Sequence, residues 1–77
     1  MAVYLELKKL SDDEVRTTYG FQGADGSQRR LIFDRGEERM WPEDDVRDGL
    51  FRAAAQTVAK AWRTHGNNLP TTLHHQA

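Results

Sequence analysis

From Ala2 to Asp34 apolar and polar side chains alternate in three runs, each closed by a turn-forming segment. Alternation of period two is the mark of a strand with one buried face. The first run sets Val3, Leu5 and Leu7 on one side and Tyr4, Glu6 and Lys8 on the other. Ser11, Asp12 and Asp13 supply turn chemistry after it. The second run sets Val15, Thr17, Tyr19 and Phe21 against Glu14, Arg16 and Thr18, and the segment from Gly23 to Ser27 is a strong turn signal. The third, residues 28–34, sets Leu31 and Phe33 against Arg30, Ile32 and Asp34 before Arg35, Gly36 and Glu37 break it. Short turns between three strands predict an antiparallel meander with the second strand central.

The turn lengths suggest a register. Leu5 is expected opposite Thr17, and Thr17 opposite Phe33, on the inner face. On the outer face Glu6 is expected opposite Arg16, Arg16 opposite Asp34, Lys8 opposite Glu14, and Tyr4 in a row with Thr18 and Ile32. Each matched cross-strand pair contributes about 0.2–1 kcal/mol. A slip of one residue would reverse every apolar side chain.

The remainder reads as one amphipathic helix. Pro42 suits a first helical position. Glu43, Asp44, Asp45 and Asp48 crowd the early turns, and Lys60, Arg63 and His65 the late ones, as the helix dipole favours. Gly66 is the expected stop, with Pro70 beyond it. Val46, Leu50, Ala54, Val58, Ala61 and Trp62 form a stripe at helical spacing, bordered by Phe51. Gly49 weakens the helix interior by ~1 kcal/mol relative to alanine.

The chain is therefore expected to be a small α+β domain of the form β-β-β-α over residues 1–66, followed by a flexible C-terminal tail over 67–77. Its expected core is Val3, Leu5, Leu7, Val15, Tyr19, Phe21, Leu31, Phe33, Val46, Leu50, Ala54, Val58 and Trp62. With 77 residues there is room for one domain and a modest core.

A content of 38% hydrophobic and 30% charged residues is globular rather than disordered. The formal charge of −1 argues against binding nucleic acid by bulk electrostatics. With no cysteine there is no disulfide framework or thiolate chemistry, which fits a reducing cytoplasm. No apolar run approaches the roughly 20 residues of a membrane span. Residues Met1 to Glu6 have neither the basic start nor the apolar stretch of a secretory signal.

Chemistry-bearing motifs are sparse. His65, His74 and His75 lack the spacing and partners of a zinc set. Glu37, Glu38, Glu43, Asp44 and Asp45 lack the pattern of a calcium loop. Ser11 and Ser27 sit in turns rather than in a nucleophile elbow. Gly20, Gly23 and Gly26 precede a strand rather than a helix, so they do not cradle phosphate. These residues indicate no catalytic group, cofactor or metal, and no enzyme.

Two binding classes remain. The favoured one is a small protein-interaction module using the open sheet face, at Tyr4, Thr18 and Ile32, or an edge strand, with self-association into a homodimer as one form. Trp41 is expected to pack back onto the helix as a staple, and Trp62 to join the core. The alternative is nucleic-acid binding through Arg29, Arg30 and Arg35 near the second hairpin.

Overall fold

A computed structural model describes residues 4–23 and 25–76. Val3, expected in the core, lies outside them. The chain is α+β, with an antiparallel sheet and one helix. Among the described residues the sheet has five strands rather than three: β1 (Tyr4–Asp12), β2 (Arg16–Gln22), β3 (Gln28–Asp34), β4 (Arg39–Pro42) and β5 (Thr72–Gln76), in the order β4-β3-β2-β1-β5. The helix α1 (Gly49–His65) runs between β4 and β5, which lie on opposite edges. It covers one face of the sheet and leaves the other open.

The second hairpin has the expected register, with Arg16 opposite Asp34, Thr17 opposite Phe33 and Thr18 opposite Ile32. The first differs. Strand β1 runs on to Asp12, so that Asp12 pairs with Thr17 and Lys8 with Gly20. The turn comes later because Asp13 organises it: its carboxylate accepts the N–H groups of Val15 and Arg16. Val15 therefore sits in the connection and is 48% exposed, outside the core. The displacement preserves parity over Leu5 and Leu7, which remain buried. A bulge between Lys9 and Ser11 absorbs the odd residue. Neither Glu6 with Arg16 nor Lys8 with Glu14 is a pair; Leu5 faces His75 of β5 instead of Thr17.

Residues 39–42 form β4 rather than a helix start. Trp41 pairs with Ile32 and Pro42 with Leu31. Proline is tolerated there because β4 is an edge strand. The helix begins seven residues later than expected. Asp48 is its N-cap, accepting the N–H of Phe51. Val46 lies before the helix and is 48% exposed, so it is not core. Phe51 replaces it, buried with Ala54, Val58 and Ala61, while Leu50 and Trp62 are half-buried against the core. Gly66 ends the helix as expected, with φ 61° and its N–H donated to the carbonyl of Trp62.

The segment expected to trail as a tail carries β5, paired with β1 from Tyr4 to Lys8. Leu69 and Leu73 are buried in the core. The Tyr19 hydroxyl donates to the Pro70 carbonyl at 2.5 Å, and the Lys9 ammonium to that of Leu69 at 2.6 Å. These contacts anchor the chain where it crosses from helix to strand.

Candidate functional site

The three arginines expected as one cationic patch occupy three different environments. Arg29 shares the parity of Leu31 and Phe33 and points to the helix side, where it is 8% exposed. Its Nε donates to Asp44 Oδ2 at 2.8 Å, its Nη1 to Asp48 at 2.8 and 2.9 Å, and its Nη2 to the Val46 carbonyl at 2.8 Å. Its guanidinium carbon lies 4.9 Å from the centre of the Phe21 ring. Asp45 takes a left-handed conformation (φ 62°) in the connection that brings both carboxylates round. Arg29 hydrogen bonds hold the Asp44 carboxyl below its usual range, and the Phe51 N–H and then Arg29 do so for Asp48.

Arg35 closes the other end of the domain. It binds Asp12 at 2.8 Å, and also bonds to the Thr17 hydroxyl and the Asp13 carbonyl. Thr17 donates to the same Asp12 oxygen at 2.8 Å. The Arg35 hydrogen bond, followed by that of Thr17, lowers the Asp12 pKa to about 2. Burial, with Asp12 nearby, pushes the Tyr19 phenol up to about 12. Lys9, Asp12, Thr17, Tyr19 and Arg35 are thus a network whose groups satisfy one another and the adjoining backbone. Of these three arginines, Arg30 alone reaches the open face, 3.6 Å from Glu43.

The expected interaction residues are brought together in part. Thr18 and Ile32 are adjacent and half-buried on the open face. Tyr4 lies in β1 opposite Gln76, away from that row. Trp41 takes its place: it stands beside Ile32, half-buried, with the Arg16 guanidinium carbon 5.4 Å from its ring centre. On the far side Leu10, which has the parity of Glu6 and Lys8, stands at the bulge on the same face. Leu10 lies over Gly20, where an added Cβ would stand 3.0 Å from its Cδ1, and it is 55% exposed. The open face therefore carries an apolar row of Trp41, Ile32, Thr18 and Leu10. Around it stand ion pairs of both signs, Arg16 with Asp34 at 3.2 Å and Arg30 with Glu43.

Trp41 and Leu10 stand outside the row expected from the sequence. Trp41 has the alternation of a strand with Arg39, but the run is only four residues long beside Pro42. Leu10 continues the parity of Glu6 and Lys8 onto the open face, but it lies past the expected end of the first strand, in the stretch by which β1 outruns that expectation.

Among the described residues no group of three or more His, Asp or Glu is placed to hold a metal ion. His74 lies 3.2 Å from Glu6 across the β1–β5 pair. No helix among the described residues is long and apolar enough to cross a membrane. Comparison of the chain with protein-family models, with curated proteins and with solved structures finds no match in any of the three.

Proposed function

We propose that this chain is a small non-catalytic interaction module that binds protein through the open face of its sheet, with a second copy of itself as one occupant. The observation that carries this reading is the row Trp41, Ile32, Thr18 and Leu10 on the face that α1 does not cover. An apolar strip bordered by polar and charged groups is the general anatomy of a protein contact. Tryptophan and arginine are the side chains that most often dominate such contacts. The ion pairs beside the row carry both signs, so a copy rotated about a two-fold axis can set cation against carboxylate. The polar network around Asp12 supports a non-catalytic role, because its groups are engaged with one another.

Sedimentation over a concentration series tests the reading. The wild-type chain is expected to self-associate, and Ile32→Glu to remain monomeric at the same concentrations with its melting temperature nearly unchanged. A wild type that stays monomeric at millimolar concentration removes the second copy as occupant. Loss of folding in Ile32→Glu would place Ile32 in the core and remove the face from consideration.

A further inference from the structure

The five-stranded sheet is split at one end. Strand β1 pairs with β5 from Tyr4 to Lys8, but with β2 only from Lys8 to Asp12. Beyond the Lys8 and Gly20 pair the two strands part around a cleft of about 700 Å³. The parity of the main-chain groups there is fixed by the neighbouring ladders. The Lys9 N–H donates to Thr71, so the odd-numbered residues of β1 bond toward β5 and the even-numbered ones face β2. The Gly23 N–H donates to Ser27 and the Arg35 N–H to Val15, so the odd-numbered residues of β2 bond toward β3 and the even-numbered ones face β1. The N–H and C=O groups of Glu6 and Gln22 are thus turned toward each other across the cleft, with no ladder between them among the described residues.

The surroundings keep this gap accessible. The Gln22 side chain is drawn aside to its own hairpin, 3.3 Å from the Gly26 carbonyl. The Glu6 carboxylate is drawn the other way, to His74 at 3.2 Å and Lys8 at 3.7 Å. Leu5, Phe21 and the half-buried Leu50 of the first helical turn line the depth of the cleft, and Leu10 stands at its upper wall. A small apolar molecule would cover the leucines and leave both strand edges unsatisfied. An extended peptide answers both demands, because its two edges present alternating donors and acceptors while every second side chain turns to the floor.

We infer that the split between β1 and β2 is a receptor for an extended peptide segment carrying a large apolar side chain, held by main-chain hydrogen bonds to Glu6 and Gln22. The Lys8 and Gly20 pair closes one end, so the segment enters from the other. The balanced charge of Glu6 and Lys8 at the rim selects for no strong charge in the segment. This inference rests on the reading of the chain as an interaction module, and places a second contact at one end of the same face.

The test uses the full chain and an end-capped peptide alternating threonine and leucine, with glycine–serine flanks, followed by amide hydrogen exchange and chemical-shift titration. The Glu6 and Gln22 amides are expected to exchange rapidly in the free protein and to become protected on binding. Methylating alternate peptide nitrogens should weaken binding about tenfold, the effect of losing one or two main-chain hydrogen bonds. Leu50→Gln should weaken it comparably, and the methylated peptide gives an answer whether or not that variant folds. Glu6 and Gln22 amides already protected in the free chain, or no binding at millimolar peptide, would overturn the inference. So would equal binding of the methylated peptide. Shifts confined to Ile32 and Trp41 would overturn it too, while leaving the interaction module standing.

Discussion

Arg29 shows what one residue decides in a domain of this size. A guanidinium almost excluded from water joins β3 to the start of α1 through Asp44, Asp48 and the Val46 carbonyl. Removing it leaves two carboxylates facing each other without their cation, and opens the space above Phe21. Arg29→Ala is expected to cost about 2–3 kcal/mol in urea unfolding, less than a fully enclosed pair because both carboxylates stay half in water. Arg29→Met, which restores the packing without the charge, should recover part of that loss. A change below about 0.5 kcal/mol for the alanine variant, the range of ordinary surface substitutions, would mean the bridge is not structural. The position was legible: Arg29 has the parity of Leu31 and Phe33, which period two places inside. The general habit of arginine to stay exposed pointed the other way. The spacing of Asp44 and Asp48 fits a helix dipole equally well, so neither end of the bridge signalled the other.

At the scale of elements, alternation located β1, β2 and β3, and helical spacing located α1 with its stop at Gly66. The boundaries moved where a single side chain outweighed the pattern. Asp13 delays the first turn, and Asp48 delays the helix. Strands β4 and β5 are four and five residues long, too short for alternation to stand out, and β5 holds two adjacent histidines. Of the candidate interaction row, Thr18 and Ile32 were visible because the second hairpin has its expected register, whereas Leu10 lies past the expected end of the first strand. The approach of Leu10 to Gly20 also yields a prediction. An alanine at Gly20 would bring its Cβ to 3.0 Å from Leu10 Cδ1, the free end of an exposed side chain. That end can swing away, and alanine is favoured over glycine in a strand. Gly20→Ala should therefore leave stability within about 1 kcal/mol of wild type by thermal melting. A larger loss would mean that Leu10 is held in place over β2.

At the scale of the whole molecule, the segment after Gly66 distinguishes a domain closed by its C-terminal strand from one that ends at its helix. Leu69 and Leu73 are buried, each contributing about 1.5–3 kcal/mol. The β1–β5 ladder and the Tyr19 and Lys9 bonds to the Pro70 and Leu69 carbonyls are lost with them. A domain this small has about 5 kcal/mol to lose, at the lower end of the usual range. Ending the chain at Gly66 should therefore unfold most of the population, seen as loss of helical circular dichroism and collapse of amide dispersion. A free peptide of residues 67–77 added to the shortened chain should restore part of both signals, because the groove beside β1 is complementary to it. If the shortened chain instead melts at the wild-type temperature, β5 is an accessory to a core that closes without it. The recovery experiment also bears on the cleft: β1 would then have been shown to accept an added strand on its β5 side, which is the chemistry inferred for its other side.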